Sequence, residues 1–241
     1  MIKVAGLTKR FGALVALQDF SIEIAKGEIV ALVGPNGAGK TTALHLLVGL
    51  LTPTAGEAYL GDFHVMRQAL EAKRILGFLP DQPFLYEHLT VEETLQFVGG
   101  IYQLDPEIWR LQAQRLAILF GLADKMNRRV NQLSYGMKSR LVLIATLLHQ
   151  PQVLILDEPF FGLDPQTLHL MKQHLRECVA QGMTVFLSTH QLSVVEDLAH
   201  RIAFLSQGRL VGLGTLKEMT QRHGSACLED LFFQLTGSSS G

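Results

Sequence analysis

The stretch that decides the fold is Ile29-Val30-Ala31-Leu32-Val33-Gly34-Pro35-Asn36-Gly37-Ala38-Gly39-Lys40-Thr41. It begins with an unbroken apolar run of the kind that forms a strand buried between two layers of helices. The residues from Gly34 to Thr41 satisfy the P-loop pattern, and an apolar helical pattern follows them. A strand, a glycine-rich turn and a helix in this order predict an α/β fold that binds phosphate at the end of a central strand.

The chemistry of this loop predicts a nucleotide and a metal ion. Its glycines let backbone N–H groups converge on phosphate oxygens, Lys40 neutralises the outer phosphates, and Thr41 offers a hydroxyl to Mg²⁺. A ligand-free strand-to-helix turn is the alternative, but the pattern arises by accident in only about one chain in a hundred of this length. The candidate nucleotide-binding residues are Gly34, Pro35, Asn36, Gly37, Ala38, Gly39, Lys40, Thr41 and Thr42.

Other apolar runs complete the predicted sheet. Residues 153–156, 185–187 and 202–205 are unbroken apolar stretches, and we expect them to be central strands. Phe20, Ile22 and Ile24 alternate with polar residues, which is typical of a half-exposed strand. We therefore expect a mostly parallel central sheet with an N-terminal antiparallel β portion.

Strand signals are absent between residues 80 and 150, where long helical patterns occupy 91–101, 106–120 and 138–148. We interpret this block as a helical subdomain inserted into the sheet domain. The predicted sheet domain is then discontinuous and comprises residues 1–79 and 151–236, with the helical subdomain at 80–150. The polar tail 237–241 has nothing to bury, and we expect it to be disordered.

Composition excludes several classes of protein. The chain has 241 residues, 48% of them hydrophobic, and a formal net charge of -1, so it can bury a core but has no general attraction for nucleic acid or anionic lipid. Its cysteines, Cys178 and Cys227, have no metal-ligand spacing and are best interpreted as reduced thiols of a cytosolic protein. We see no signal peptide and no run long enough to span a bilayer, so any membrane crossing would belong to another chain.

A second motif ends the apolar run at 153–156 with Asp157 and Glu158. These carboxylates should lie at the carboxyl edge of the sheet, where open α/β folds bind ligands. Asp157 is the natural partner of a Mg²⁺ ion bound by Thr41, and Glu158 is positioned to polarise the water that attacks the γ-phosphate. Alone, such a pair is more often a solvated turn or a helix cap, but the preceding P-loop favours catalysis.

Further motifs lie around this pair. Leu133-Ser134-Tyr135-Gly136-Met137 resembles the signature motif of the ABC (ATP-binding cassette) transporter family, and Phe161-Gly162-Leu163-Asp164 resembles its D-loop. His190 matches the switch histidine of that family, and Phe11 takes the place of the aromatic residue that stacks on adenine. The resemblance covers nearly the whole chain and implies a P-loop NTPase fold with bound ATP and Mg²⁺.

The resemblance also implies a head-to-tail pair of nucleotide domains that hold two ATP molecules at their interface. Ser134 and Gly136 precede a predicted helix, so a hydroxyl, a backbone N–H and the helix dipole could meet the γ-phosphate of the facing subunit. His190 would hold the attacking water in register with the facing Asp164, which is positioning rather than proton abstraction. Alternatively, Ser134 is a simple N-cap, His190 a satisfied polar residue and Phe11 a core residue.

The chain departs from the family pattern at two places. Where relatives usually carry glutamine before the helical block, this sequence has Asp81 followed by Gln82, and we assign the metal-sensing role to Asp81. Tyr135-Gly136-Met137 replaces the Gly-Gly-Gln of many members. Together with residues 79–81, this variant resembles cassettes that export drugs, antibiotics or polysaccharides.

We therefore expect an ATP-hydrolysing subunit, with Lys40, Glu158 and His190 as catalytic residues, that powers export through a separate membrane permease. It would lie in the cytoplasm, peripheral on the inner face of the membrane. A soluble ATPase of the same fold with a cytosolic partner is the alternative, and a nucleotide sensor without turnover is a third. The chain holds every element needed for two equivalent sites, so we expect the second nucleotide-binding subunit to be another copy of it, in a homodimer rather than a heterodimer.

Overall fold

The computed structural model of the protein describes residues 1–82 and 84–237. The strands, in chain order, are β1 (Ile2–Phe11), β2 (Leu14–Ile24), β3 (Ile29–Val33), β4 (Ala55–Leu60), β5 (Phe63–His64), β6 (Leu76–Leu79), β7 (Val153–Asp157), β8 (Thr184–Ser188), β9 (Arg201–Ser206) and β10 (Arg209–Gly214). The helices are α1 (Lys40–Leu47), α2 (Ala69–Arg74), α3 (Val91–Ile101), α4 (Pro106–Leu119), α5 (Tyr135–Leu147), α6 (Pro165–Ala180), α7 (Leu192–Leu198), α8 (Leu216–His223) and α9 (Leu228–Thr236).

The central sheet contains six strands in the order β10-β9-β3-β8-β7-β6. Its strands are parallel except for β10, which pairs antiparallel with β9. The apolar runs at 29–33, 153–156, 185–187 and 202–205 form β3, β7, β8 and β9, which confirms the predicted central strands. Because parallel strands present their carboxyl ends at one edge, the ends of β3, β7 and β8 lie side by side there.

The N-terminal sheet is antiparallel and has the order β2-β1-β4-β5. Phe20, Ile22 and Ile24 of β2 are buried, whereas Ser21 and Glu23 are exposed, as their alternation predicts. The expected antiparallel β portion is therefore confirmed. Its apolar face joins helix α1 and one face of the central sheet in a common core.

Strand β3 lies between two cores. Its residues Ile29, Ala31 and Val33 belong to the core that contains the helical block, while Val30 and Leu32 belong to the core beneath the antiparallel sheet. Burial on both faces explains why this strand is apolar throughout. The residue that follows it, Gly34, begins the P-loop.

The helical patterns between 80 and 150 form α3, α4 and α5, with three boundary differences. Helices α4 and α5 each end one residue before the predicted end, at Leu119 and Leu147, and α5 begins at Tyr135 rather than at Lys138. Thr90 and Glu93 form a capping box at the start of α3, and Asp105 caps α4 before Pro106. The division into domains 1–79 with 151–236 and 80–150 stays a prediction.

Several elements were not anticipated. Strand β6 is short and contains Gly77, where an added Cβ would lie 2.9 Å from both Leu154 Cδ1 and Pro151 Cγ. Because these neighbours lie so close, position 77 requires glycine. Glycine is unfavourable in strands, so the sequence of β6 does not show a clear strand pattern. Within the described residues, no helix is long and apolar enough to cross a bilayer. Of the predicted disordered tail, Gly237 is the C-cap of α9, and residues 238–241 lie outside the described residues.

Candidate functional site

The P-loop connects β3 to α1 through two glycines with left-handed backbone conformations. Gly37 has a φ of 77° and Gly39 a φ of 104°, a region in which L side chains are strained. A Cβ on Gly39 would also lie 2.5 Å from the carbonyl oxygen of Ala16. The loop is held to the sheet because the N–H of Gly208 donates to the carbonyl of Ala38 at 2.9 Å. Glycine at 39 is therefore required by the backbone itself.

Lys40 is buried within this loop. Its Nζ donates to the carbonyl oxygens of Gly34, at 2.8 Å, and Pro35, at 3.2 Å. Burial lowers the pKa of Lys40 from its usual value, while the negative charges of Glu158 and Asp157 oppose that shift. The lysine thus lies within electrostatic reach of both carboxylates, as a phosphate-binding site at this edge requires.

The first turn of α1 provides the remaining groups of the loop. Thr41 is exposed and Thr42 is half-buried, and Gly39 as N-cap supplies no side chain to bond the first N–H groups. Those N–H groups and the positive end of the helix are suited to phosphate oxygens. All candidate residues from Gly34 to Thr42 are thus contiguous in one cradle.

Asp157 ends strand β7 and is almost completely buried. Its Oδ1 accepts a hydrogen bond of 2.5 Å from the hydroxyl of Ser188, the residue paired with it on β8. Its Oδ2 is buried without a hydrogen-bond partner among the described residues. A buried carboxylate oxygen that lacks a partner is costly unless a cation or water satisfies it. Asp157 therefore fits the requirement for a Mg²⁺ ligand, a role for which oxygen donors are preferred.

Glu158 and His190 are brought together by the structure. Glu158 has a φ of 49°, a strained conformation for a residue other than glycine. Its Oε2 lies 2.9 Å from Nδ1 of His190 and accepts a second bond of 3.3 Å from the His190 backbone N–H. With Nδ1 donating to the carboxylate, Nε2 of the imidazole is directed elsewhere and can accept or donate to another group.

The signature motif begins helix α5. Ser134 is the N-cap, and its Oγ accepts a bond of 3.4 Å from the N–H of Met137. The expectation that Gly136 precedes the helix is wrong, because Gly136 is the second residue of α5 and its carbonyl accepts from Nε of Arg140 at 3.2 Å. The helix starts earlier because Ser134 is a good cap, although Gly136 weakens the first turn. Ser134 and Tyr135 are exposed.

Asp164 caps helix α6 and is exposed. It accepts bonds from the N–H of Thr167, at 2.9 Å, and from the Thr167 hydroxyl, at 2.7 Å. These bonds lower the pKa of the Asp164 carboxyl from its usual value, with a smaller contribution from the charge of Arg140. Pro165 occupies the first helical position, as predicted.

Asp81 and Gln82 are both exposed in the segment after β6. Asp81 lines a cavity of about 30 Å³ together with Glu158 and Tyr135, whereas Gln82 does not line it. This position is consistent with the assignment of the role to Asp81, which stays a prediction.

Phe11 lies at the end of β1 with 47% of its surface exposed, which excludes the alternative that it is a core residue. Nζ of Lys9 lies 5.0 Å from the centroid of its ring. A half-exposed ring beside a cation can accept a stacked base, so the geometry permits the predicted role.

Comparison with known proteins agrees with this arrangement. The protein-family model described as "ABC transporter" matches residues 17–161. The chain belongs to the ABC transporter family. Within that family its relatives are ATP-binding subunits, and the chain is an ATP-binding cassette.

Curated relatives of this cassette span nearly its whole length. It is 33% identical over 240 residues to the "Probable multidrug ABC transporter ATP-binding protein YbhF" of Escherichia coli, of which it spans 41%. It is 32% identical to the "Linearmycin resistance ATP-binding protein LnrL" of Bacillus subtilis, of which it spans 75%. It is 30% identical to the "ABC transporter ATP-binding protein NatA" of the same organism, of which it spans 96%.

Solved structures show the same fold. The "Structure of ATP binding subunit of ABC transporter" is 31% identical with a TM-score of 0.93, and the match covers 98% of this chain and 99% of that one. A "Dimeric structure of a post-hydrolysis state of the ATP-binding cassette MJ0796 bound to ADP and Pi" is 28% identical with a TM-score of 0.78, and the match covers 90% of this chain and 99% of that one. The predicted P-loop fold is thereby confirmed.

The cassette also contains supporting residues that the sequence did not single out. Ser188 bonds Asp157 through its hydroxyl, and both its hydroxyl and its carbonyl accept from the N–H of Glu158 at 3.2 Å. The Arg140 guanidinium donates hydrogen bonds to the carbonyl oxygens of Gly136 and Phe120. The pairing of β7 with β8 places Ser188 opposite Asp157, and no sequence signal specifies that register. In the sequence, a role for Ser188 is indicated only by its position two residues before His190.

Proposed function

We propose that this cassette uses the hydrolysis of ATP, with Mg²⁺, to power export through a separate membrane permease. One observation carries the proposal: the unsatisfied Oδ2 of Asp157 and the His190-bound carboxylate of Glu158 occupy neighbouring positions beside the P-loop. A metal-binding carboxylate and a second carboxylate for water are what hydrolysis of a nucleoside triphosphate requires.

Binding would begin at the P-loop and at Phe11. Backbone N–H groups of residues 34–42 and Nζ of Lys40 would receive the phosphates, and the ring of Phe11 would support adenine. Lys40 would exchange its bonds to the carbonyls of Gly34 and Pro35 for phosphate oxygens. Thr41 and Asp157 would hold Mg²⁺, with Asp81 nearby, and the ion would neutralise charge on the β- and γ-phosphates.

Hydrolysis would depend on Glu158 and His190. The Glu158 carboxylate would accept a hydrogen bond from the attacking water, and this bond would increase the electron density on the oxygen of the water. The backbone N–H and Nδ1 of His190 both bond the Glu158 carboxylate, so little reorganisation of that group is needed. The backbone N–H of Glu158 donates to the Ser188 hydroxyl, which fixes the main chain behind the carboxylate. Nε2 of His190 would contact the γ-phosphate and hold it in line with the water.

The signature residues would complete the site of a facing subunit in a head-to-tail dimer. Ser134, Gly136 and Asp164 are supported by local bonds and make no hydrogen bond to residues 34–42 within the described chain. The exposure of Ser134 and Asp164 supports a role in receiving the γ-phosphate bound by another protomer. Loss of that phosphate would weaken the interface and open the dimer, which converts hydrolysis into motion.

An exposed aromatic surface supports a membrane partner. Phe84, Tyr86 and Phe97 are 80%, 51% and 46% exposed, and their rings form two edge-to-face pairs with centroids 5.4 Å apart. They line an open groove of about 690 Å³ beside the Asp81 segment. A large apolar patch of this kind is typical of a protein interface, and a permease would place the cassette at the inner face of the membrane. The names of two relatives, a probable multidrug transporter protein for YbhF and a linearmycin resistance protein for LnrL, favour export.

Two measurements test the proposal. Phosphate release by the purified chain with ATP and Mg²⁺ tests hydrolysis, and affinity purification from membranes tests the partner. Release of phosphate with a co-purified membrane protein is expected, whereas a purely cytosolic partner would identify a soluble ATPase instead.

Asp81→Ala is expected to impair hydrolysis more than Gln82→Ala, and the reverse order would move the metal-sensing role to Gln82.

A further inference from the structure

Tyr135 is a large exposed side chain in the middle of the signature motif. It is the first residue of α5, between Ser134 and Gly136, and 60% of its surface is exposed. An exposed tyrosine at a helix start would ordinarily be free to adopt several rotamers. Here its ring is placed against a second motif of the same chain.

The ring of Tyr135 packs against Gly162 in the loop that precedes Asp164. A Cβ built on Gly162 would lie 3.0 Å from Cε1 and 3.6 Å from Cδ1 of Tyr135. One edge of the ring therefore lies over the backbone of Gly162, in space that any other residue would fill. Gly162 also has a φ of 72°, so both its conformation and this contact select glycine.

Both sides of this contact are connected to groups of the ATP sites. The loop begins at Glu158, whose carbonyl accepts from the N–H of Phe161 at 3.2 Å, and it ends at Asp164. On the other side, Tyr135 directly follows Ser134, and Arg140 ties the carbonyl of Gly136 to that of Phe120. A displacement of the first turn of α5 would thus press the Tyr135 ring on the loop that holds Glu158.

We propose that Tyr135 is a positioning residue that couples the two ATP sites of the dimer through its contact with Gly162. The inference rests on the proposed function, in which Ser134 serves the ATP of the facing protomer and Glu158 the ATP of its own. Engagement of Ser134 at one site then orders the Glu158 loop of the other site through the aromatic ring. The coupling uses the ring edge, and the phenol hydroxyl is not required.

The contact is tested first by the stability of the isolated protomer, which does not depend on dimerisation. Gly162→Ala introduces backbone strain and a clash with the ring, so it is expected to lower the midpoint of denaturant unfolding more in the parent chain than in the Tyr135→Ala background. Gly224→Ala is the matched control, because Gly224 has a φ of 66° and no atom within 4 Å of an added Cβ. Gly224→Ala is expected to lower the unfolding midpoint equally in both backgrounds. If Gly162→Ala also lowered the midpoint equally in both, the contact would be overturned.

The coupling is tested by dimerisation and by cooperativity. In a Glu158→Gln background, Tyr135→Ala is expected to raise the ATP concentration at half-dimerisation by roughly two- to tenfold, the factor that a single aromatic contact supplies. With Glu158 intact, the Hill coefficient for hydrolysis is expected to fall toward unity. Tyr135→Phe keeps the ring and is expected to behave as the parent in both assays, while ADP affinity of the protomer stays constant in all variants.

The outcomes separate this inference from the proposed function. If the Glu158→Gln chain does not dimerise with ATP, the proposed function fails and the coupling fails with it. If that chain dimerises and Tyr135→Ala changes neither the half-dimerisation concentration nor the Hill coefficient, only the coupling is overturned. A Tyr135→Phe variant as defective as Tyr135→Ala would also overturn it, since the hydroxyl would then carry the effect.

Discussion

The two regions that would surround ATP differ in how far one chain completes them. At the sheet edge, Asp157 bonds Ser188 of β8 and Glu158 bonds His190 of the loop after β8, while the buried Lys40 bonds the P-loop carbonyl of Gly34. At the start of α5, Ser134 and Gly136 bond only within their own helix, and Ser134 is exposed. The first region is preorganised inside the fold, and the second presents its groups outward.

This difference indicates which properties belong to the protomer and which to the dimer. Groups already held near their working positions cost little reordering when substrate binds, so nucleotide affinity and the chemical step should depend on the sheet edge. An exposed helix start can add binding energy only when a second surface reaches it. Substitutions in the two regions should therefore give different patterns of failure.

The largest effect is expected from Glu158→Gln at the sheet edge. Removal of the negative charge should lower kcat for hydrolysis by roughly 10²- to 10⁴-fold, because the amide cannot polarise water as a carboxylate does. ATP affinity should be retained, since the side chain keeps its size. Phosphate release measured beside equilibrium ATP binding checks both expectations, and unchanged turnover would assign the chemistry to another group.

His190→Ala should have the next largest effect. Loss of the imidazole frees the Glu158 carboxylate and removes a group from the γ-phosphate, so kcat should fall by roughly 10²-fold with KM little changed. The exposed His169 of α6 provides the control, because His169→Ala removes a histidine outside the site. Equal kcat values for the two variants would remove His190 from the catalytic machinery.

The signature region is tested by a pair of substitutions that preserve the helix cap. Asp and Asn both replace Ser well as N-caps, so Ser134→Asp and Ser134→Asn should keep the melting temperature of the protomer. Only Ser134→Asp places a negative charge against the facing phosphate, and it should weaken ATP-driven dimerisation by roughly tenfold or more. Equal dimerisation of the two variants, measured by size-exclusion chromatography, would show that Ser134 is only a cap.

The smallest effect is expected from Phe11→Ala. A half-exposed stacking platform contributes on the order of 1 kcal/mol, which corresponds to about a fivefold loss of ATP affinity without a change in kcat. Leu14→Ala is the control, because Leu14 pairs with Phe11 across the β1–β2 turn and is 66% exposed. Similar affinities for both variants, in nucleotide titrations, would exclude stacking on Phe11.

The parts of the fold that could be predicted from sequence are those specified by contiguous residues. The P-loop and the acidic end of β7 are such parts. In each, an apolar run predicts the strand, and the residues that follow it directly are the ones that bind phosphate or metal. Strand β6 escaped detection, since Gly77 leaves it with little strand signal and its place depends on packing against Leu154. The alternation of Phe20, Ile22 and Ile24 with polar residues was sufficient to predict β2, because one face of that strand is exposed and the other is buried.

The parts of the site that could not be predicted depend on contacts between distant residues. The hydroxyl of Ser188 meets Asp157 only because β7 and β8 adopt one register. The ring of Tyr135 meets Gly162 only because α5 lies against the loop after β7. The start of α5 was placed three residues late, because Gly136 obscured a helix whose cap was already recognised.

The most direct test of the account mixes two inactive chains. Lys40→Ala disables the P-loop half of a site and Ser134→Asp weakens the signature half, so each variant alone should release phosphate far more slowly than the parent chain. In a head-to-tail dimer of one chain of each kind, one site combines both defects and the other combines an intact Lys40 with an intact Ser134. An equal mixture should therefore release phosphate faster than either component. Its upper limit is about a quarter of the wild-type rate, the share of intact sites under random pairing, and coupling to the defective site would lower the rate below that limit. A mixture no more active than its components would contradict the claim that each ATP is shared between two chains.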